Sequence, residues 1–190
     1  MTEIKKRFNE NSPPPSQGFL IRGRDYLAAR KTFRLAGREQ ELVMISDVLM
    51  RRDANSLILT GPGGVGITSL IMGLESSKHA PGTPFDMAMK NFYWLDTDGL
   101  FASGNTQDIH KNFQGVLDKL SRNPGSVLII QNIREFIESA RTRGCDHFIN
   151  ALMLALDNDK FQAIFECRDH DFEGVIGCHP YIKQIGRASC

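Results

Sequence analysis

The feature that most constrains the fold of this chain is a glycine-rich loop between two apolar segments. The loop reads Gly61-Pro62-Gly63-Gly64-Val65-Gly66-Ile67-Thr68. The segment before it, residues 56–60, is short and apolar, which favours a buried parallel strand. After the loop, Leu70, Ile71 and Leu74 recur at helical spacing. The order of strand, glycine loop and helix predicts a loop that cradles phosphate rather than an ordinary tight turn.

One chemical part of this motif, the P-loop, is missing. The motif uses glycines so that backbone N–H groups approach phosphate oxygens, a hydroxyl for magnesium, and a lysine for the β- and γ-phosphates. Thr68 supplies the hydroxyl, but Ile67 stands at the lysine position. A charged hydrogen bond contributes roughly 1.5–3 kcal/mol, so its loss should weaken phosphate binding by about one to two decades. The pattern predicts a nucleotide-binding scaffold that lacks the phosphate-binding lysine.

Composition excludes several classes of function. The chain has 190 residues, 41% of them hydrophobic, which is enough for one well-buried domain. A formal net charge of +1 creates no large basic field, so we expect no nucleic-acid partner. No apolar run reaches membrane-spanning length, so we expect no membrane insertion and a cytoplasmic location. The four cysteines are too widely spaced for a zinc site, which predicts no bound metal.

Patterning along the chain predicts two regions. Residues 1–32 include a proline-rich stretch, and we interpret the region as a flexible arm that serves as a linker or docking segment. Residues 33–190 alternate between strand and helix patterns. This alternation predicts an α/β domain with a parallel sheet, helices on both faces and a ligand crevice at the carboxyl ends of the strands.

The predicted elements follow from apolar spacing. After residue 60, strands are expected over residues 92–96, 126–132 and 161–166. Helices are expected to begin at residue 37 and to cover residues 68–77, 109–120 and 148–156. The run at residues 126–132 is the strongest strand pattern, because its branched apolar residues are typical of a strand buried on both faces.

Several of these segments together resemble the first AAA+ module of Clp-type unfoldases and disaggregases. The similar segments are a Gly-Arg-Glu box at residues 37–42, residues 49–52, the strand and P-loop of residues 57–66, and the order of the later elements. The resemblance runs from about Phe33 to Ile185. It implies a P-loop NTPase-like fold. The family closes a helical lid over its nucleotide, and since this sequence ends at Cys190 we expect that lid to be absent.

The resemblance also implies that the groups used for hydrolysis are missing. The Walker B strand of the family ends in Asp-Glu, the first acting on magnesium and the second on the attacking water. The matching positions here are Gln131 and Asn132, whose amides carry no charge. The sensor position falls near Glu166 or Cys167, where the glutamate would repel a γ-phosphate.

Two further family parts have no clear counterpart. The arginine-finger region aligns loosely with residues 181–185, where no arginine stands in place, and Arg187 is a weak candidate. The stretch that matches the substrate-gripping loop, residues 103–107, lacks the aromatic residue of the family. The missing parts all serve hydrolysis or translocation, whereas the glycines and apolar strands that serve the fold remain.

The sequence therefore predicts a catalytically inactive AAA+-like domain, a pseudo-ATPase, that acts as a protein-binding adaptor or scaffold subunit. The expected partners are other protein subunits, including those of an ATPase-containing assembly. We expect no catalytic residue and no cofactor. Two alternatives stay open: weak binding of ATP or ADP as a regulatory ligand, and an active ATPase with substitutes such as Lys78 or Glu135. The residues of the degenerate nucleotide site are Gly61, Gly63, Gly64, Val65, Gly66, Ile67, Thr68, Gln131 and Asn132.

Other residues with chemical potential have simpler interpretations. Asp96 and Asp98 follow a predicted strand, but Asp96 matches a family position of structural character. The run at residues 169–171, Asp-His-Asp, lies near Cys167, yet adjacency in sequence is poor support for a cysteine–histidine pair. Three isolated histidines are expected at the surface: His110, His147 and His179.

Overall fold

The computed structural model describes residues 18–30, 33–179, 182 and 185–189, without the side chains of residues 175–178, 186 and 187. Within these residues the strands are β1 (Leu20–Arg22), β2 (Leu57–Gly61), β3 (Asn91–Leu95), β4 (Ser126–Ile130), β5 (Gln162–Arg168) and β6 (Gly186–Ser189). The helices are α1 (Gly23–Ala28), α2 (Glu39–Leu49), α3 (Ile67–Ser77), α4 (Phe85–Ala88), α5 (Thr97–Phe101), α6 (Thr106–Arg122), α7 (Ile133–Thr142), α8 (His147–Asp157) and α9 (Asp169–Cys178).

The strands form one sheet in the order β1-β3-β4-β5-β2-β6. All neighbouring pairs are parallel except β1 with β3, which is antiparallel. The P-loop strand β2 therefore lies between β5 and β6, and Gly61 at its end is paired with Arg168 of β5. This arrangement confirms the predicted α/β class with a mainly parallel sheet, and it brings the ends of β2, β5 and β4 to one edge.

Both faces of the sheet are buried, which explains the continuous apolar runs of its central strands. In β4, Val127 and Ile129 face one apolar cluster, which includes residues of α1 to α4. Leu128 and Ile130 face the other cluster, built from α5 to α8. Side chains alternate across a strand, so a strand covered on both faces needs apolar residues at every position. The described part of the chain contains no helix that is long and apolar enough to cross a membrane.

The predicted domain boundary at residue 32 is wrong. Residues 20–22 form the edge strand β1, and Leu20 and Ile21 are buried. Tyr26 of α1 stacks on Trp94 of β3, with ring centroids 4.3 Å apart and planes 6° from parallel. A three-residue strand is too short to show the alternation of apolar and polar residues that marks a strand. The proline-rich stretch before it also favoured the interpretation as an arm. The proline-rich part of the predicted arm, residues 11–17, lies outside the described residues.

Most other predicted elements lie within a few residues of the observed ones. The helix predicted from residue 109 begins three residues earlier at Thr106, and the strand predicted to residue 132 ends at Ile130. Sequence patterning did not predict α1, α4, α5, α7, β1 or β6 as separate elements. Most of these are short. Helix α7 is the longest of them at ten residues, and it buries one apolar face through Ile133, Phe136, Ile137 and Ala140.

Candidate functional site

A cavity of about 410 Å³ lies at the carboxyl ends of β2, β4 and β5. Its lining contains every residue of the degenerate nucleotide site predicted from the sequence. It also contains Pro62, Ser69, Glu166, Cys167 and Arg168. The fold therefore brings these residues together at the carboxyl ends of the parallel strands, where ligand crevices of such sheets lie.

The P-loop has the backbone conformation that its glycines permit. Gly64 and Gly66 have φ angles of 83° and 90°, a region that residues with a side chain rarely adopt. Gly66 immediately precedes α3, which begins at Ile67. The first N–H groups of a helix have no intrahelical partner and carry the positive end of its dipole, which suits an anion. The backbone conformation of the motif is thus retained.

Arg38, in the Gly-Arg-Glu box, ties the P-loop to α2. Its Nη1 donates a hydrogen bond to the Val65 carbonyl at 3.0 Å, and its Nε donates to the Glu41 carboxylate at 2.6 Å. The sequence presented this box as part of a family resemblance and did not indicate the contact. The contact explains why an arginine before α2 matters to a loop 27 residues further along the chain.

No lysine takes the place that Ile67 leaves among the described residues. Ile67 is half-buried, lines the cavity and packs against the apolar cluster of α1 to α4. Lys78 follows the far end of α3, where its Nζ lies 3.0 Å from the Glu75 carboxylate and donates to the Lys90 carbonyl at 3.2 Å. These bonds hold it away from the cavity lining. Lys78 is therefore not a substitute for the missing cation.

The first Walker B position is an amide held by helix α1. Gln131 Nε2 donates to the Tyr26 hydroxyl at 3.0 Å and lies 3.4 Å from Thr68 Oγ1. Arg30 Nη2 donates to the same Tyr26 hydroxyl at 2.9 Å. Burial raises the pKa of Tyr26, so its hydroxyl stays protonated at neutral pH. Tyr26 lay in the predicted arm, so its place in the site could not be foreseen.

The second Walker B position caps a helix. Asn132 has a φ of 51° and is the N-cap of α7, where its side chain accepts from the Glu135 N–H at 3.4 Å. Its Nδ2 donates to the Glu135 carboxylate at 3.0 Å. Asparagine is among the few residues that adopt this left-handed conformation readily, and it is a preferred N-cap. Glu135 is exposed and does not line the cavity around the P-loop, so it does not replace the missing acid.

A carboxylate reaches the cavity from a different strand. Glu166 of β5 accepts a hydrogen bond from Thr68 Oγ1 at 2.9 Å through its Oε2. Its other oxygen, Oε1, is buried and has no hydrogen-bond partner among the described residues. Burial raises the pKa of Glu166 to about 7, against the lowering effect of the Thr68 hydrogen bond. An acid within an apolar strand was the one sequence signal for this contact.

The donor set suits a hard cation that brings further ligands with it. No group of three His, Cys, Asp or Glu side chains that could hold a metal occurs in the part of the chain that the structure describes. The cavity offers one carboxylate and one hydroxyl, Glu166 and Thr68, and magnesium usually binds through one or two carboxylates together with phosphate oxygens and water. The residues therefore fit magnesium in complex with a phosphate ligand, and they do not form a closed metal cage.

The remaining sequence hypotheses have mixed outcomes. Asp96 is the N-cap of α5 and accepts from the Gly99 N–H at 2.9 Å, a structural role as expected. Cys167 Sγ contacts the Arg168 carbonyl and His170 contacts the buried Asp171, so neither contact joins the cysteine to the histidine. Of the three histidines expected to be isolated at the surface, His110 and His147 are exposed but not isolated, because His110 Nδ1 lies 2.8 Å from His147 Nε2. The expectation is wrong for His179, which is half-buried and whose Nε2 atom is buried.

Of the two further family regions, the structure describes the first in full. Residues 103–105 connect α5 to α6, and residues 106 and 107 begin α6. Asn105 is the N-cap of α6 and forms a capping box with Asp108. The stretch aligned with the arginine finger lies largely outside the described residues, as does the side chain of Arg187.

The chain is similar in sequence to chaperone proteins named ClpB. No protein-family model matches the chain. The chaperone protein ClpB of Aquifex aeolicus is 22% identical over 183 residues, which is 96% of this chain and 18% of that protein. ClpB of Helicobacter hepaticus is 26% identical over 129 residues, 67% of this chain and 15% of that protein. The chain thus spans less than a fifth of the length of these relatives.

Solved structures of Hsp104 share the fold. The extended S. cerevisiae Hsp104:casein complex superposes with a TM-score of 0.77 at 21% identity, covering 90% of this chain and 29% of that chain. The S. cerevisiae Hsp104-ADP complex gives a TM-score of 0.76 at 20% identity, covering 90% and 24% of the two chains. At this level of identity the likeness concerns the fold alone.

Proposed function

Because the chain is homologous, at low identity, to AAA+ modules of ClpB chaperones, we propose that it is a non-hydrolysing AAA+-like domain. In this proposal it works as a protein-binding adaptor or scaffold subunit of a larger assembly. The fold and the P-loop backbone are retained, whereas the charged groups that act on a transferred phosphoryl group are changed. A domain of this kind contributes surfaces and a rigid α/β body instead of turnover.

The observation that supports this proposal most directly is the end of strand β4. Gln131 is held by the Tyr26 hydroxyl and Asn132 caps α7, so both side chains have structural partners. An amide cannot act as a base towards water, and it carries no charge to hold a metal ion. The two positions that the family uses for magnesium and for the attacking water are occupied by groups that do neither.

Protein subunits are the proposed partners, and the cytoplasm is the proposed location. One structural neighbour is Hsp104 in complex with casein, a protein. The small net charge of this chain, +1, gives nucleic acid no electrostatic attraction. The proline-rich stretch at residues 11–18 is a candidate docking segment, since polyproline structure orders at low entropic cost on a partner surface.

Nucleotide binding without hydrolysis is a second candidate function. The observation in its favour is the hydrogen bond between Thr68 and Glu166, which places a carboxylate beside the P-loop hydroxyl. A structural neighbour is an Hsp104-ADP complex. The third reading, an active ATPase that uses Lys78 or Glu135, has little support, because the first is bonded to Glu75 and the second to Asn132.

Phosphate release from ATP tests the proposal. We expect the purified protein, given ATP and magnesium, to release no phosphate above a sample without protein. We also expect Ile67→Lys alone to remain inactive, because it restores the cation of the P-loop but neither carboxylate of strand β4. The same preparation is used to recover partners from native cells, where the adaptor role requires a reproducible stoichiometric companion.

Two outcomes would contradict the proposal. Turnover that co-elutes with the protein through successive columns, and that Thr68→Val abolishes, would mean that the chain is an enzyme. A protein that is recovered from its cells alone under gentle conditions contradicts the adaptor role.

A further inference from the structure

The carboxyl group of Glu166 occupies an unusual place. It lies on β5, opposite Leu59 of the P-loop strand, and reaches the hydroxyl with which the P-loop motif holds magnesium. In the related family the acid that shares this task stands at the end of the neighbouring strand, where this chain has Gln131. The carboxylate is therefore present in the cavity but comes from another strand.

We propose that Glu166 is the carboxylate of a magnesium–nucleotide site in this cavity, replacing from strand β5 the group that Gln131 does not supply from β4. The ligand class is a nucleoside di- or triphosphate carrying Mg²⁺. This inference deepens the second candidate function above, nucleotide binding without hydrolysis, and does not depend on the adaptor role.

The separation of the two oxygens supports a shared cation. Thr68 Oγ1 and Glu166 Oε2 are 2.9 Å apart. Magnesium binds oxygen at about 2.0–2.1 Å in an octahedron, so two neighbouring ligands lie about 2.9 Å from each other. The two hydrogen-bonded oxygens therefore need little movement to become neighbouring ligands of one magnesium ion. Phosphate oxygens and water complete the shell, as is usual for this ion.

The second oxygen of Glu166 also points to a missing partner. Glu166 Oε1 is buried and makes no hydrogen bond within the described part of the chain. Buried polar atoms are almost always satisfied, and an exception calls for an explanation such as an ion. A nearby divalent cation offsets the cost of keeping a carboxylate ionised in a buried site.

The phosphate side of the site has a candidate cation in place of lysine. Arg168 lines the same cavity, and its exposed side chain follows Glu166 by two residues on β5. Its backbone is paired with Gly61 at the start of the P-loop. A guanidinium group binds phosphate well, because its fork of donors fits two oxygens at once. Arg168 is therefore the candidate for the positive charge that Ile67 cannot supply.

The test measures how magnesium changes the affinity for ADP. Calorimetric titrations of ADP into the full chain are run with magnesium and with EDTA. We expect magnesium to tighten binding by roughly ten-fold or more, as when one ion joins a carboxylate to phosphate oxygens. Glu166→Gln should remove this enhancement, and Glu173→Gln, which changes an exposed acid outside the cavity lining, should keep it.

Two further variants separate the roles within the site. Arg168→Gln should weaken ADP binding by about ten-fold with magnesium and with EDTA alike, because it acts on phosphate and not on the ion. Thr68→Ser should keep the magnesium enhancement and Thr68→Val should lose it. Thermal melting of each variant shows whether it folds. If Glu166→Gln does not fold, Glu166→Asp carries the test, since its shorter carboxylate should reduce the magnesium enhancement.

Three results would overturn the inference. ADP that binds equally well with and without magnesium leaves Glu166 no metal to hold. Tighter ADP binding by Glu166→Gln means that the carboxylate blocks the cavity. An absence of ADP binding up to millimolar concentration removes the site altogether. None of these results alters phosphate release or partner recovery, so the adaptor proposal stands or falls separately.

Discussion

At the scale of single residues, hydrogen bonds link neighbouring side chains along the cavity. Gln131 donates to Tyr26 and lies near Thr68, which in turn donates to Glu166. A chain of contacts therefore crosses the place where a P-loop protein holds its metal. Removal of the Thr68 hydroxyl would take from the largely buried Glu166 carboxyl the hydrogen bond that it accepts, at a cost of about 1–3 kcal/mol.

Glu166 should make the stability of the protein depend on pH. Its pKa is raised in the folded state from its ordinary value of 4.5 to about 7, so the folded protein binds this proton more tightly than the unfolded chain does. The resulting stabilisation is complete below pH 4.5 and is lost as the pH rises through 7. One pKa unit corresponds to about 1.4 kcal/mol, so a rise from 4.5 to about 7 sets an upper bound of roughly 3.5 kcal/mol.

The comparison with Glu166→Gln isolates this effect, because glutamine is neutral at every pH. We expect wild type to lose about 1–3 kcal/mol relative to this variant between pH 5 and pH 8. Urea unfolding of both proteins in EDTA, without nucleotide, measures the difference. If the gap between the two proteins stays constant over this range, Glu166 ionises in the folded state as it does in water.

At the scale of elements, helix caps set where the connections around the site begin. Helix α6 is strongly amphipathic, with one face buried through Ile109, Phe113 and Leu120. Its start is set by a capping box in which Asn105 accepts from the N–H groups of Gln107 and Asp108 at 2.9 and 3.1 Å. The segment aligned with a substrate-gripping loop is therefore anchored at its helical end.

Replacement of Asn105 should destabilise the protein through this cap alone. We expect Asn105→Ala to lower the free energy of unfolding by about 0.5–2 kcal/mol, and Asn105→Ser to lose much less, because serine is also a good N-cap. Gln107→Ala is the control, since Gln107 uses only its backbone N–H in the cap. Chemical denaturation compares the three variants. Equal stability of Asn105→Ala and wild type would show that the box contributes nothing.

At the scale of the whole molecule, the sheet extends to a strand that sequence patterning left outside the domain. Strand β1 pairs with β3, and α1 contacts both α3 and β3. Three residues of this segment are buried. The solvent-exposed fraction is 2% for Leu20, 6% for Ile21 and 3% for Tyr26. Burial of one such side chain contributes roughly 1.5–3 kcal/mol, so the segment supplies a large part of a typical domain stability of about 5–15 kcal/mol.

Two truncations should therefore have different effects. Removal of residues 1–32 deletes β1 and α1, and we expect a loss of at least 10 °C in melting temperature or failure to fold, at about 2–4 °C per kcal/mol. Removal of residues 1–17 should leave the melting temperature nearly unchanged, because its proline-rich composition favours an extended segment. Circular dichroism melting compares the two. Equal stability of both truncated proteins would mean that β1 and α1 do not belong to the core.

Much of the fold could be predicted from local sequence patterns. The P-loop glycines, the two-face-buried strand β4 and the helical spacing after Gly66 are each visible within about ten residues, because backbone conformation and side-chain periodicity act over that range. The sequence also shows that Ile67 stands where the motif has lysine, and that Gln131 and Asn132 stand where the family has acids. These features determine an α/β domain with an altered P-loop.

The tertiary structure alone decided which groups meet in the cavity. Thr68 and Glu166 are 98 residues apart in the chain, and Tyr26 and Gln131 are 105 apart. A parallel sheet brings the ends of distant strands to one edge, and no short-range pattern records which side chains will then touch. The sequence by itself determined that the charges of β4 are missing. Only the pairing of β5 with β2 decided that a carboxylate stands beside the P-loop hydroxyl.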